Sequence, residues 1–196
     1  MQLQDLDLSE TYSYADYYSW TFDERVELIN GKIFNMGSSP GTLHQLLSGF
    51  ISCSLANYIE GRSIEVFTAP FDVRLPKLSI DDSDVFTVLQ PDICVVCDAN
   101  KIDERGCIGA PDIVVEILIK GNNSKDLKNK FEAYEAAGVK EYWIIFPYSK
   151  SFLKCVLLKG QYKLSRLQTF GDEVTTTILP GFTMGLDELF EIEIPG

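Results

Sequence analysis

The chain is expected to form an α/β domain with a mixed central β-sheet flanked by helices, and three observations predict this. An apolar strand run at residues 113–119 is followed by helical periodicity over 124–137 and strand composition again at 142–146. Strand, helix and strand in close succession read as a crossover joining two parallel strands. Residues 41–60 place Leu43, Leu46, Leu47, Phe50, Ile51, Leu55, Tyr58 and Ile59 at helical spacing, the signature of a helix laid on a core. Asn30-Gly31 and Lys159-Gly160 each sit between apolar runs, where they mark antiparallel hairpins, so the sheet is mixed.

Taken in order, residues 13–20 are aromatic-rich and predict a short helix. Residues 26–29 and 32–34 are the strands either side of Asn30-Gly31, and Ser38-Ser39-Pro40 supplies the start of the longest helix, 41–60. Extended runs follow at 64–67, 71–75 and 93–97, with the acidic Asp81-Asp82-Ser83-Asp84 as a solvated loop between the second and third. The run 113–119 is apolar on both faces apart from one carboxylate, Glu116. Such a strand belongs in the middle of a covered sheet. Gly138 closes the helix 124–137, and residues 152–167 and 174–178 read as a hairpin and a further strand. Extra antiparallel strands are therefore expected in the N- and C-terminal parts. No repeat, low-complexity tract or linker interrupts the chain, which is expected to be a single domain over 1–196.

With 196 residues and 22.0 kDa, the chain is long enough to bury roughly 70% of its extended surface. No apolar run approaches the ~18 residues of a membrane span, and the first residues are acidic where a signal peptide is basic. A cytoplasmic location with no membrane partner is the expectation. Five scattered cysteines, an odd number, suit reduced thiols better than a disulfide framework. Cys94 and Cys97 form a CxxC, but an odd spacing on a strand sends the two to opposite faces. The net charge of −12 excludes a general electrostatic affinity for nucleic acid. Contact with a polyanion must rest on a local basic surface, metal ions or a partner. Lys120, Lys125, Lys128 and Lys130 against Asp126 form one small basic island.

Glu116 is the most informative residue. A carboxylate inside a buried strand costs several kcal/mol unless a cation, a metal or strong donors compensate it. Asp92, after Pro91 at the start of another apolar run, is the natural second carboxylate. Two carboxylates on neighbouring strands can share a hard divalent ion such as Mg²⁺, which keeps waters for substrate phosphate and supports phosphodiester cleavage. On the helix 124–137, Leu127, Phe131 and Tyr134 define the sheet-facing arc, and Lys130 lies on its border, able to reach back to Glu116. Lys125 and Lys128 point away. The plain alternatives are a structural ion pair for Glu116, a strand-entry turn for Asp92 and a lysine lying along the apolar stripe for Lys130.

These residues also carry a resemblance. Val26-Glu27-Leu28-Ile29-Asn30-Gly31, Phe71-Asp72-Val73-Arg74-Leu75, Gln90-Pro91-Asp92-Ile93, Gly109-Ala110-Pro111-Asp112 leading into Ile113-Val114-Val115-Glu116, Asp126-Leu127-Lys128-Asn129-Lys130-Phe131 and Gly138-Val139-Lys140-Glu141-Tyr142-Trp143 together resemble the Uma-type bacterial endonucleases. Those have the restriction-endonuclease-like, PD-(D/E)XK fold. The resemblance runs through Leu179-Pro180-Gly181-Phe182. It implies a metal-dependent DNA endonuclease using Mg²⁺, with Mn²⁺ as a substitute. It implies Asp92 and Glu116 as the metal pair, with Glu27 and His44 contributing from the N-terminal part. The superfamily's lysine stands two residues after the glutamate, where this chain has Leu118. The resemblance therefore requires a lysine moved onto the helix, and Lys130 matches. Lys120 shares parity with Glu116 and is a second candidate, although four residues of strand put it ~13 Å along.

Plain readings stand beside these too: a cross-strand pair with Lys32 or Arg25 for Glu27, and a hydrogen-bonded core residue for His44. The function expected is hydrolysis of DNA phosphodiesters, with Asp92, Glu116, Lys130 and Glu27 as the catalytic set and a homodimer offering one site per strand. The chief alternative is a catalytically silent nuclease-like protein whose carboxylate–lysine cluster is a buried ion-pair network. A third is a nuclease acting on RNA or free nucleotides.

Overall fold

The computed structural model describes residues 2–36, 41–118 and 124–194. In chain order the elements are α1 (Tyr14–Ser19), β1 (Val26–Ile29), β2 (Lys32–Asn35), α2 (Thr42–Ile59), β3 (Glu65–Thr68), β4 (Val73–Arg74), β5 (Val88–Leu89) and β6 (Ile93–Val96). After these come β7 (Ile102–Asp103), β8 (Gly106–Ile108), β9 (Ile113–Ile117), α3 (Ser124–Ala137), β10 (Glu141–Phe146), β11 (Ser151–Leu158) and β12 (Gln161–Leu164). The last three are β13 (Glu173–Thr175), β14 (Thr183–Gly185) and α4 (Leu186–Phe190).

The central sheet has the order β12-β11-β10-β9-β6-β3. Its one parallel pair is β9–β10, in the register Ile144 to Glu116. This is the predicted crossover, with α3 as its helix. The strands are otherwise antiparallel, β6 lying against β9 with Ile93 opposite Val115. The extra strands of the N-terminal part gather into a second six-stranded sheet of order β2-β1-β5-β4-β8-β7, which is itself mixed: β4 runs parallel to β8 and the other pairs are antiparallel. Asn30 and Gly31, at φ +51° and +76°, make the two-residue turn of the β1–β2 hairpin, a backbone that both residue types tolerate.

Strand parity divides the core. Ile113, Val115 and Ile117 of β9 and Trp143 and Ile145 of β10 pack with Leu47, Ile51 and Leu55 of α2 and with α4. Val114, Tyr142 and Ile144 face the other way, toward Tyr134 of α3 and toward Val73, Leu89 and Cys107 of the second sheet. The central sheet is covered on both faces, as the apolar β9 run requires. Because Glu116 shares parity with Val114, its side chain enters the layer between the central sheet, α3 and the second sheet.

Several elements depart from the sequence reading. The run 71–75 pairs only over Val73–Arg74, held between β5 and β8. The strands β5, β7, β8 and β14 and the helix α4 were not anticipated; two to five residues carry too little periodicity to register. The expected helix start at Ser38-Ser39-Pro40 lies outside the described residues.

All five cysteines are free, and Cys53, on the outer face of α2, is the exposed one. Cys94 and Cys97 fall on opposite faces of the central sheet, each against a different core layer. Burial pushes the Cys97 and Cys107 thiols up to about 11 and Cys155 up to about 12, and it raises Cys94 as well. Thiolate is the reactive form. Titration of the native protein with Ellman's reagent at pH 8 is expected to show one fast thiol that Cys53→Ser removes, with all five reacting after denaturation. Several fast thiols in the native state would contradict this packing.

Candidate functional site

At the end of β9, where the two sheets and the first half of α2 converge, lies a cleft of about 750 Å³. Glu27, His44, Gln90, Asp92, Glu116 and Lys130 are among the residues that line it. Each arrives from a different piece of secondary structure: Glu27 from β1, His44 from α2, Gln90 and Asp92 from the segment between β5 and β6, Glu116 from β9 and Lys130 from α3.

Lys130 is the hub. Its Nζ lies 2.9 Å from Glu116 Oε1 and 3.0 Å from Glu27 Oε1. The three side chains are almost wholly enclosed, at 16%, 10% and 5% exposure for Lys130, Glu116 and Glu27. Tyr134, one helical turn beyond Lys130, donates its hydroxyl to the same Glu116 oxygen at 3.0 Å. Glu27 Oε1 also accepts the backbone N–H of Gln90 at 2.8 Å. Neither of the pairings read for Glu27 from sequence, with Lys32 or Arg25, is made. It bonds instead to Lys130 of α3 and to the backbone N–H of Gln90 beside β5.

Asp92 is held separately. Its Oδ2 accepts the backbone N–H of Ile117 at 2.7 Å, which ties it across to β9 next to Glu116. Its Oδ1 lies 3.0 Å from His44 Nε2. His44 is 7% exposed, and its Nδ1 is buried without a hydrogen-bond partner. Lys128 pairs with Glu132 on the outer face of α3, as the helix periodicity predicts, and Lys120 lies outside the described residues.

Burial raises the Glu116 carboxyl above the usual carboxylate range; Lys130 opposes this, while Asp92 and Glu27 add to it. For Lys130 burial works toward deprotonation, but Glu116 and Glu27 outweigh it and keep the ammonium charged. Burial, then the Glu116 charge, raises the Tyr134 hydroxyl, which stays a donor. The cluster thus holds a fixed positive charge against a carboxylate that is costly to ionise. Among the described residues no group of three or more His, Cys, Asp and Glu side chains is gathered closely enough to hold a metal ion.

Sequence reasoning did not single out Tyr134 or Gln90 as site residues. Tyr134 was read as core from its place on the apolar arc, and its spacing of four from Lys130 was the available signal. The donors to Glu27 and Asp92 are the backbone N–H groups of Gln90 and Ile117, which no residue type announces.

With this geometry in place, comparison with known proteins decides the family. The model of the Uma2 family, described as "Putative restriction endonuclease", matches residues 14–187. The chain belongs to the Uma2 family. No curated protein sequence matches it. Among solved structures, a crystal structure described as a "putative nuclease belonging to DUF820 from Anabaena variabilis ATCC 29413" is similar, with a TM-score of 0.70 and 16% identity. The match covers 92% of this chain and 98% of that one. At this identity the likeness establishes the nuclease-like fold. The Uma2 match includes all six cleft residues named above, from Glu27 to Lys130.

Removing Lys130 leaves two buried carboxylates facing each other. Lys130→Met is expected to lower stability by about 3 kcal/mol in urea denaturation, and to cost less in a Glu116→Gln background. Equal costs in both backgrounds would show that the two groups are not coupled.

Proposed function

We propose that this Uma2-family chain is a divalent-metal-dependent endonuclease that hydrolyses phosphodiester bonds in DNA. The observation that carries the reading is Lys130, held 2.9 Å from Glu116 and 3.0 Å from Glu27 in the wall of a cleft that Asp92 also lines. A lysine fixed beside two acidic strand ends is suited to charge developing on a phosphate.

The donor set fits Mg²⁺. Asp92 and Glu116 offer hard carboxylate oxygens, and Mg²⁺ sites commonly use only one or two carboxylates, the remaining positions being filled by water and substrate phosphate. The lack of a larger protein cage is therefore compatible with this ion. Asp92 and Glu116 would hold it; when bound, it supplies charge neutralisation for attack on the phosphodiester. The protein's own part is positional and electrostatic. The N–H of Ile117 and the imidazole of His44 orient Asp92. Glu27, anchored by the Gln90 N–H, draws the Lys130 ammonium to the inner wall. Lys130 then orients the attacking water and stabilises negative charge on the phosphorane, while Tyr134 fixes the Glu116 rotamer. Cutting both strands of a duplex requires two sites, which we assign to two copies of the chain.

Incubation of duplex DNA, single-stranded DNA and RNA with the protein in Mg²⁺ or Mn²⁺ tests this reading. Cleavage of DNA is expected, abolished by EDTA and reduced by at least ~10²-fold in Asp92→Asn and Lys130→Ala. RNA cleavage alone would move the substrate class. Cleavage unaffected by both substitutions would remove the site assignment, and no cleavage of any substrate would favour the silent ion-pair network.

A further inference from the structure

The cleft is a poor host for a polyanion. Asp23, Glu24 and Asp126 line its rim in addition to Glu27, Asp92 and Glu116 deeper in, and its lysine is already committed to two carboxylates. One lining cation is placed differently. Arg25 is exposed, and among the described residues it makes no ion pair. Its guanidinium Nη2 donates at 2.8 Å to a neutral acceptor, the side-chain carbonyl of Gln90.

That acceptor is itself held in place. The Gln90 amide nitrogen donates to Asp72 Oδ1 at 2.8 Å and to the Tyr17 hydroxyl at 3.1 Å, which turns the amide oxygen outward to Arg25. The Gln90 backbone N–H meanwhile holds Glu27. A single residue thus fixes both Arg25 and Glu27, which lie two positions apart on the extended chain entering β1 and so share one side of it. Arginine carries five N–H donors in a planar fork. With one spent on Gln90, four remain, in a geometry matched to two phosphate oxygens.

We propose that Arg25 is the phosphate-binding residue of this cleft, gripping the nucleic-acid backbone beside the bond that is cut, with Gln90 as its positioning residue. The inference rests on the phosphodiester-hydrolysis reading and adds how an acidic cleft admits its substrate. Two residues of extended chain, ~7 Å, separate Arg25 from Glu27. Arg25 acts in binding and leaves the chemical step to the Lys130 cluster.

The test is steady-state cleavage of a labelled single-stranded oligonucleotide by wild type, Arg25→Lys and Arg25→Ala, with melting temperature recorded for each. KM is expected to rise by about tenfold or more in Arg25→Ala, with kcat little changed and Arg25→Lys in between. Added guanidinium ion should restore KM in Arg25→Ala and leave wild type unaffected, a rescue that a purely structural role would not produce. A KM within twofold of wild type, or a loss that tracks melting temperature without rescue, overturns the inference while leaving the nuclease reading intact. If wild type cleaves nothing, that reading fails instead, and fluorescence anisotropy with the same oligonucleotide then decides the inference alone. Binding about tenfold weaker in Arg25→Ala supports it, and equal binding overturns it.

Discussion

The structure turns on one ionic contact: Glu116 near the end of β9, compensated by Lys130 from α3. An isolated carboxylate at 10% exposure between two packed layers would be expensive to ionise. It persists there because the crossover helix brings an ammonium and a tyrosine hydroxyl to the same oxygen. Glu27 adds a second carboxylate, so that Lys130 joins the central sheet, the crossover helix and the second sheet at one point. Removing Lys130 strands two buried carboxylates, whereas removing Glu116 leaves the Lys130–Glu27 pair in place.

Around that contact the rest of the cleft is ordered by backbone geometry. The antiparallel register of β6 on β9 sets Asp92 beside Ile117, whose N–H it accepts. Placement of α2 over the same strands brings His44 to the other Asp92 oxygen. Gln90, two residues before Asp92, ties the second sheet to the site through Glu27 and Arg25. A short segment between β5 and β6 therefore fixes groups on both walls. The cleft shares the acidity of the chain, with six carboxylates against Arg25 and Lys130 among its lining residues.

Much of this was legible beforehand, for identifiable reasons. The helix over 124–137, the hairpin at Asn30-Gly31 and the long helix after Gly41 were readable because periodicity and turn chemistry are local properties. Glu116 announced itself as a charge in an otherwise apolar strand, and the helical angle alone put Lys130 within its reach. What stayed hidden was non-local. That β1 belongs to a second sheet packed against α3 cannot be read from four residues, so Glu27 had two plausible surface partners and used neither. The donors from Ile117 and Gln90 are backbone groups, invisible in residue type. The short strands β7 and β8 form a hairpin too brief to carry a pattern.

The central claim is that Asp92 and Glu116 form a site for a divalent cation. It is tested most directly by thermal melting of wild type and Glu116→Gln with and without Mg²⁺ or Mn²⁺ at matched ionic strength. The account predicts that wild type gains about 3–6 °C at metal concentrations around ten times Kd. Glu116→Gln should start higher without metal, because a costly buried charge is gone, and should gain nothing on metal addition. A wild type that does not respond, paired with a Glu116→Gln variant less stable without metal, would contradict the claim and leave the cluster as a buried ion-pair network.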